Sequence, residues 1–329
     1  MHSLLIVGVG SIGHRHLRCF QQTGRVHASI CDSNSELLNQ LADQYDVEDK
    51  FTDLTSAMAS RPEIVLISTP AHLHIPMATT AVEAGSHVFV EKPLSTSIDG
   101  VDELVERAAT RGVTVGVAYV MRHHPLLQQL KQVIDTRRFG QPLQVTVNSG
   151  QHFPFYRPAY REIYYTSHET GGGAIQDAIT HMVNALQWLL GPTTALVCDA
   201  AHLSLPDVEV EDTVHVLIRH GEILGNLSLN QFQLPNETSL TINFEQATVR
   251  CDLHSGTWQY CTQPEGDWLP GGESSLERDD LFVAQANAFL DAVEQGASPA
   301  CNLHAAKHTL QTNLAMLASV RDKQWYQIP

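Results

Sequence analysis

The chain of 329 residues has few charged side chains and a marked shortage of basic ones. Charged residues make up 17%, and 20 Lys and Arg stand against 36 Asp and Glu, so the formal net charge is −16 at pH 7. A surface with this balance repels a phosphate backbone and an anionic membrane surface. We therefore expect neither nucleic acid nor a membrane among the partners of this protein.

Cysteines are also scarce, and no two of the six stand at the Cys-x-x-Cys spacing of redox and zinc motifs. A chain of this length buries about three quarters of its unfolded surface, so it needs no disulfide staples. No apolar run reaches 18 residues, and the first residues lack the basic stretch of a signal peptide. These absences predict reduced thiols, no bound metal, no membrane span and a cytoplasmic location.

The length predicts about two domains, and the first 120 residues follow a pattern of their own. Short apolar runs alternate there with helical stretches that end at glycines. Strands are predicted at 4–7, 27–31, 63–69, 87–90 and 113–119, and helices at 11–22, 36–45, 76–84 and 98–109. Strand–helix alternation with short connections favours a parallel, doubly wound sheet in an α/β domain.

The remaining residues have a different pattern, so we expect a first domain of 1–120 and a second of 121–329. Period-two alternation and hairpin-like breaks predict a mostly antiparallel sheet. Its strands are predicted at 143–147, 208–219, 223–232, 239–244 and 247–253, and helices at 125–136, 174–190, 280–295 and 303–321. Glycines and prolines at 263–278 indicate a loop.

The strongest local signal is the run Gly8-Val9-Gly10-Ser11-Ile12-Gly13, which follows a strand and opens a helix. Its glycines permit a tight turn, and its backbone N–H groups can approach a pyrophosphate at the helix N-terminus. Asp32 ends the next strand, where a carboxylate can accept hydrogen bonds from the adenosine ribose. Asp32 would repel a 2′-phosphate, and no basic residue follows at 33–36, so NAD is favoured over NADP. A glycine-rich turn without a ligand is the alternative.

Two further strand ends carry polar groups, in Thr69-Pro70-Ala71-His72-Leu73-His74 and in Glu91-Lys92-Pro93. Ligands lie at the carboxyl ends of strands in doubly wound sheets, so Thr69, Pro70, His74, Glu91 and Lys92 are predicted to face the cofactor. The Lys92 ammonium could stabilise alkoxide character on a reacting oxygen. The alternatives are a histidine that caps the following helix and a structural ion pair between Glu91 and Lys92.

A helix in the second half carries Asp177 and His181, four residues apart and opposite its apolar stripe. That side of the helix faces either solvent or the wall of a cleft. Three glycines at 171–173 precede the helix and would let a substrate come close to its start. A histidine of ordinary pKa suits proton abstraction from a hydroxyl.

Taken together, these segments resemble the Gfo/Idh/MocA oxidoreductases, the group of glucose–fructose oxidoreductase, inositol dehydrogenase and the rhizopine-catabolism proteins. The resemblance is carried by the Gly8–His16 opening, by Thr69-Pro70 with His74, and by two longer blocks. These blocks read AVEAGSHVFVEKP at 81–93 and GGGAIQDAITHMVNALQWLLG at 171–191. The similarity runs over nearly the whole chain.

The resemblance implies a Rossmann domain followed by an α/β domain whose open, mostly antiparallel sheet often forms oligomer interfaces. It implies Lys92 beside the nicotinamide and the reacting carbon, with Asp177 and His181 as the substrate-side pair. His181 would accept the hydroxyl proton, and Asp177 would bind a neighbouring hydroxyl or orient His181. A homodimer or homotetramer is expected by the same analogy.

The loop at 151–165 departs from the family pattern and holds four of the eight tyrosines. Aromatic faces such as those of Tyr156 and Tyr160 suit a sugar ring, and Arg157 or Arg161 could bind a carboxylate or phosphate. The alternative is a lid or interface loop packed by its aromatics. Arg122 is a further predicted substrate contact, unless it is an ordinary surface arginine.

The sequence thus predicts an NAD-dependent dehydrogenase acting on a secondary hydroxyl of a sugar, cyclitol or sugar acid. One alternative is a redox-neutral enzyme that holds NAD tightly and modifies a sugar by transient oxidation. Another is a ligand-sensing regulator without catalytic activity.

Overall fold

A computed structural model describes residues 1–329, and the chain divides into two compact units. The first unit comprises Met1–Val120 and Arg278–Lys307, and the second comprises Met121–Glu277 and His308–Pro329. All six cysteines are free thiols, and no helix is both long and apolar enough to cross a membrane.

The first unit contains a six-stranded parallel sheet in the order β3-β2-β1-β4-β5-β6. The strands are β1 (His2–Val7), β2 (Val26–Cys31), β3 (Lys50–Phe51), β4 (Ile64–Ile67), β5 (His87–Val90) and β6 (Val115–Val117). The helices between them are α1 (Ser11–Gln22), α2 (Ser35–Tyr45), α3 (Leu54–Met58), α4 (His74–Glu83) and α5 (Val101–Arg111). All four residues of β4 are buried, as expected for a strand covered on both faces. The predicted doubly wound sheet is confirmed.

The second unit contains a nine-stranded sheet in the order β14-β13-β12-β11-β7-β10-β9-β8-β15. Only the pair β7–β10 is parallel, so the sheet is mixed and mostly antiparallel, as predicted. Its strands are β7 (Pro142–His152), β8 (Ala195–Ala201), β9 (Thr213–His220), β10 (Ile223–Asn230), β11 (Phe232–Phe244), β12 (Thr248–Asp252), β13 (Thr257–Cys261), β14 (Leu269–Glu273) and β15 (Tyr326–Gln327). Its helices include α6 (Pro125–Asp135), the short α7 (Phe153–Tyr156) and α8 (Thr180–Leu190).

One face of this sheet packs on helices, and the loop predicted at 263–278 is partly a strand. Val145, Val147 and Ile242 of the sheet share a buried core with Leu127 of α6 and Leu186 of α8. Strand β14 forms inside the predicted loop because it pairs with β13. Its glycines fit this position, since a Cβ at residue 271 would overlap the ring of the β13 tryptophan.

The last two helices correct the predicted domain boundary. The chain does divide at residue 120, but helix α9 (Asp280–Gln295) and the start of α10 (Leu303–Asp322) belong to the first unit rather than to a domain of 121–329. Phe289 of α9 stacks on Phe89 of β5, with ring centroids 4.6 Å apart. The first core therefore needs apolar side chains from this distant segment.

Candidate active site

The carboxyl ends of four strands lie at one edge of the parallel sheet. Val7 of β1 is in register with Cys31 of β2 and with Ile67 of β4, and Ile67 is in register with Val90 of β5. The predicted cofactor residues follow directly after these four positions. The sheet thus brings the glycine turn, Asp32, Thr69 and the segment 91–92 to the same edge, the usual ligand-binding edge of such folds.

Two glycines of the turn are required by packing within the protein. Gly8 has a φ of +83°, and a Cβ there would lie 2.9 Å from the backbone of Ser68. A Cβ on Gly13 would overlap the carbonyl oxygen of Gly8. Ser68 completes the turn, since its hydroxyl donates to the same carbonyl over 2.7 Å. The turn is therefore seated on the end of β4.

Gly10 differs from these two glycines, because nothing in the protein lies within 4 Å of a Cβ built on it. Gly10 is the N-cap of α1, and no side chain caps this helix end. The N-terminus of a helix carries a partial positive charge and backbone N–H donors, here at Ser11 and Ile12. This open, uncapped turn fits the pyrophosphate of a dinucleotide.

Asp32 follows β2 and is fixed against the glycine turn. Its Oδ2 accepts the N–H of Val9 over 2.8 Å, and its Oδ1 accepts the N–H of Asn34 over 2.9 Å. Each carboxylate oxygen can accept a second hydrogen bond, so these two bonds orient the carboxylate and leave it able to accept others. Asp32 is half-buried and can still accept hydrogen bonds from ribose hydroxyls.

His74 is 1% exposed, and its ring joins two of the strand ends. Nε2 lies 2.8 Å from the carbonyl oxygen of Thr69, and Nδ1 lies 2.9 Å from that of Pro93. Burial lowers the pKa of this imidazole, although the two carbonyl groups oppose the effect. His74 is positioned to hold the loops after β4 and β5 together, whereas Thr69 is half-buried and Pro70 is exposed.

Glu91 is 5% exposed, and its carboxylate bonds to a histidine and to a backbone amide. Its Oε1 accepts from Nε2 of His16 over 2.6 Å, and its Oε2 accepts the N–H of Lys92 over 2.9 Å. Burial would raise the pKa of Glu91, but the His16 hydrogen bond and nearby positive charge hold it below its usual value. An ionised carboxylate thus fixes the backbone at Lys92, whose side chain is half-buried.

The helix predicted at 174–190 begins with a π-helical turn, Ala174–Ile179, before α8. The α-helical geometry from which the relative position of Asp177 and His181 was predicted is therefore wrong for the first six residues of this helix. Glu211 explains the local structure, because its carbonyl oxygen accepts the N–H of Ala174 and its Oε1 accepts that of Ile175. π-Helical turns occur frequently at functional sites.

The glycines before this turn have a packing role that differs from the predicted substrate approach. Gly173 has a φ of +88°, and a Cβ there would lie 2.6 Å from a carboxylate oxygen of Glu211. A Cβ on Gly172 would overlap the carbonyl oxygen of Tyr165. Glu211 also binds Nε2 of His168 over 2.5 Å, and this hydrogen bond raises the pKa of His168.

Asp177 is 9% exposed and His181 is half-buried, so this side of the helix is not open to solvent as a whole. Oδ1 of Asp177 accepts the hydroxyl of Tyr164 over 2.8 Å. The prediction of an aromatic loop did not single out Tyr164, since nothing in the sequence distinguishes it from its neighbours. The structure shows that the loop at 151–165 reaches Asp177.

Arg122 is buried, with 8% exposure, so the alternative of a surface arginine does not hold. Its Nε donates to Oδ1 of Asn184 over 2.8 Å, and Nδ2 of Asn184 donates to the hydroxyl of Thr309 over 2.8 Å. The Thr309 hydroxyl in turn donates to Gln187 over 2.6 Å. Arg122 therefore begins a buried polar network along α8 and α10.

The four predicted contacts in the loop at 151–165 fall into two groups. Tyr160 is fully buried in an apolar cluster, and its hydroxyl donates to the carbonyl oxygen of Pro206 over 2.8 Å. Arg161 is exposed and donates to Asp207 over 2.7 Å. Tyr156 is 50% exposed, and Arg157 is exposed as well. Packing therefore explains Tyr160, whereas the other three side chains remain accessible.

A nucleotide-binding Rossmann unit joined to an α/β unit with an open sheet defines a two-domain dehydrogenase-like architecture. Residues 3–119 match the oxidoreductase family with an NAD-binding Rossmann fold, and residues 127–250 match the GFO/IDH/MocA C-terminal domain. The chain belongs to the Gfo/Idh/MocA oxidoreductase family, as its motifs predicted.

Curated relatives include the inositol 2-dehydrogenase/D-chiro-inositol 3-dehydrogenase of Halalkalibacterium halodurans, 29% identical over 190 residues. The match covers 56% of this chain and 51% of that protein, so the chain spans about half the length of the curated relatives it matches.

Solved structures match over the whole chain. The WlbA dehydrogenase from Bordetella pertussis, in complex with NADH and UDP-GlcNAcA, is 25% identical with a TM-score of 0.87, and the match covers 100% of this chain and 98% of that chain. A levoglucosan dehydrogenase in complex with NADH is 18% identical with a TM-score of 0.89, over 100% and 99% of the two chains. At this identity the second match concerns the fold alone.

Proposed function

We propose that this protein is an NAD-dependent dehydrogenase that acts on a secondary hydroxyl of a sugar, cyclitol or sugar acid. The observation that carries the proposal is the glycine turn, where Gly10 is open, α1 is uncapped and Asp32 is fixed alongside. Backbone N–H groups of Ser11 and Ile12 would bind the pyrophosphate, which explains how an anionic cofactor binds a protein of net charge −16.

Asp32 supports NAD rather than NADP as the cofactor. A carboxylate held against the turn accepts hydrogen bonds from ribose hydroxyls and repels a 2′-phosphate. Thr69 and Pro70 follow β4 at the same edge and complete the proposed cofactor contacts. His74 and Glu91 contribute by fixing the loops that carry these contacts, because both side chains are buried and bonded within the protein.

Lys92 is proposed to act on the reacting oxygen. When bound, the nicotinamide ring accepts a hydride from the carbinol carbon or returns it to a carbonyl carbon. The Lys92 ammonium donates a hydrogen bond to the oxygen on that carbon and stabilises its alkoxide character. The backbone N–H of Lys92 donates to Glu91, and His74 donates to the carbonyl oxygen of Pro93, so both hydrogen bonds hold Lys92 in place.

Asp177 and His181 are proposed as the substrate-side pair. His181 accepts the proton of the reacting hydroxyl during oxidation and returns it during reduction. Asp177 binds a neighbouring hydroxyl of the substrate. The π-helical turn supports the role of Asp177, since Glu211 holds the start of this turn by two hydrogen bonds.

The substrate class is proposed from the accessible side chains and from the relatives. Tyr156 can lie against the C–H face of a ring, and Arg157 and Arg161 can meet a carboxylate or phosphate. Arg122 is proposed as a substrate contact as well, although one of its donors is used by Asn184. Inositol is the substrate named for the curated relatives, and the WlbA dehydrogenase binds UDP-GlcNAcA, which agrees with a polyhydroxylated ring.

NADH formation by the purified protein against inositols, levoglucosan, free sugars and uronates tests the proposal. We expect one of these classes of compound to be oxidised with formation of NADH. The rate of NADH formation should fall strongly in the variant Lys92→Ala. Conversion of a sugar by protein that carries NAD, without net NADH, would replace this proposal with the redox-neutral alternative. Absence of turnover with every class would contradict an enzymatic function and favour a regulator.

We also propose a homodimer or homotetramer. Leu217 of β9 and Leu224 of β10 are 54% and 52% exposed on the outer face of the nine-stranded sheet. Sedimentation of the wild type and of Leu217→Lys tests this, and a monomeric wild type would contradict it.

A further inference from the structure

We propose that Tyr164 is a positioning residue for Asp177 and thereby helps to determine how the substrate is held. This inference rests on the proposed function, since it takes Asp177 as a substrate-binding group. Its basis is the hydrogen bond of 2.8 Å from the Tyr164 hydroxyl to Oδ1 of Asp177. It gives the loop at 151–165 a direct connection to the candidate site.

The backbone around Tyr164 is fixed by contacts that do not involve its ring. Its carbonyl oxygen accepts the hydroxyl of Thr170 over 2.6 Å. The next residue, Tyr165, is fully buried, and its hydroxyl donates to Gln231. The carbonyl oxygen of Tyr165 lies so close to Gly172 that a side chain there would overlap it. The loop thus delivers the Tyr164 side chain to Asp177 from a constrained position.

The ring of Tyr164 contributes less to packing than its neighbours do. Tyr160 and Tyr165 lie in a buried cluster with Phe153, whereas Tyr164 is 40% exposed. Asp177, in contrast, is 9% exposed. A half-exposed tyrosine that donates to a buried carboxylate is better explained by the carboxylate it orients than by the apolar surface it covers.

The hydrogen bond restrains the orientation of the Asp177 carboxylate. A hydrogen bond to an ionised acceptor is stronger than one between neutral groups, so it restrains the side chain effectively. The carboxylate then presents a defined acceptor direction to a substrate hydroxyl. A misplaced carboxylate binds that hydroxyl less well, so the protein holds the substrate more weakly.

The test is the substitution Tyr164→Phe, assayed with myo-inositol or with whichever compound of the substrate panel the wild type oxidises fastest. We expect kcat/KM for this compound to fall roughly tenfold, mainly through KM, because a hydrogen bond to a charged group is lost. The KM for NAD should stay unchanged. Tyr326→Phe is the matched control, since it removes another tyrosine-to-aspartate hydrogen bond, to Asp322, in the same unit.

A double-mutant cycle with Asp177→Asn distinguishes positioning from a general structural effect. In that background Tyr164→Phe should cost only about threefold or less, because the acceptor is no longer charged. Equal losses in the two backgrounds, or wild-type kinetics in Tyr164→Phe, would overturn the inference. If Asp177→Asn itself has wild-type kinetics, the proposed role of Asp177 fails instead, so the two failures are distinguishable.

Discussion

Replacing Gly10 with alanine separates cofactor binding from folding. Gly10 has φ −60° and ψ −166°, which alanine adopts without strain, and apart from its two chain neighbours no residue lies within 4 Å of the added methyl group. The methyl group therefore projects into the space that we assign to the pyrophosphate. Gly10→Ala should fold normally and bind NAD poorly.

The magnitudes follow from the same geometry. Alanine restricts the unfolded chain and stabilises the fold by about 0.4–1 kcal/mol, while its poorer N-cap preference costs about 0.5–1 kcal/mol. These effects nearly cancel. Crowding the pyrophosphate costs about 1–3 kcal/mol, as overpacking does elsewhere, which corresponds to at least roughly a fivefold rise in Kd.

The assay is fluorescence titration with NADH, accompanied by thermal unfolding of the free protein. Gly13→Ala is the comparison, because its Cβ would overlap the carbonyl oxygen of Gly8 and should lower the Tm as well as weaken binding. Unchanged NADH affinity in Gly10→Ala would refute the placement of the pyrophosphate. Unfolding of Gly10→Ala would refute the open geometry of the turn.

Other substitutions test the remaining groups. Lys92→Ala should lower kcat at least about a hundredfold with NADH affinity nearly retained, since one oxyanion-type donor is lost; stopped-flow turnover beside NADH titration checks this, and near-normal kcat contradicts it. Asp32→Ala should weaken NAD and relax discrimination against NADP, as measured by paired titrations; a wild type that already prefers NADP would rule out the cofactor assignment. The Glu211 hydrogen bond raises the pKa of His168, so this pair stabilises the fold below about pH 6.5 and loses its effect as the pH rises through the raised pKa. The Tm difference between wild type and His168→Gln should therefore be larger at pH 5.5 than at pH 8.5, and a constant difference would exclude this linkage.

The Rossmann unit could be predicted from sequence because its signals are local. A buried strand, a glycine turn and an acidic residue at the next strand end lie within residues 1–32 and need no distant partner. The register of β1, β2, β4 and β5 then brings the predicted residues to one edge. The open space at Gly10 could not be predicted, because the sequence shows Gly10 as one of three glycines in the turn and does not distinguish it from Gly8 and Gly13.

The substrate-side helix could not be predicted in detail because a distant residue shapes it. Glu211 lies 36 positions after Ile175, yet its side chain and backbone bond the first N–H groups of the π-helical turn. The available signal in the sequence is the acidic pair Glu211-Asp212 within the strand predicted at 208–219. The strand begins only at Thr213, since Glu211 and Asp212 use their carboxylates to bind backbone amides.

The loop tyrosines show the same limit. Tyr160 and Tyr164 lie four residues apart in a segment rich in aromatic residues. Tyr160 belongs to a buried cluster and donates to a backbone carbonyl oxygen, whereas Tyr164 donates to Asp177. Tertiary contacts alone distinguish them.

The return of α9 to the first unit determines how this protein can be divided. A fragment ending at Val120 would lack Phe289 beside Phe89, and Arg15 and Arg18 would lose Asp279. The nucleotide-binding unit therefore cannot be exchanged, by recombination or by protein engineering, through a single crossover in the chain. A swap that keeps both halves foldable must carry residues 278–307 together with residues 1–120.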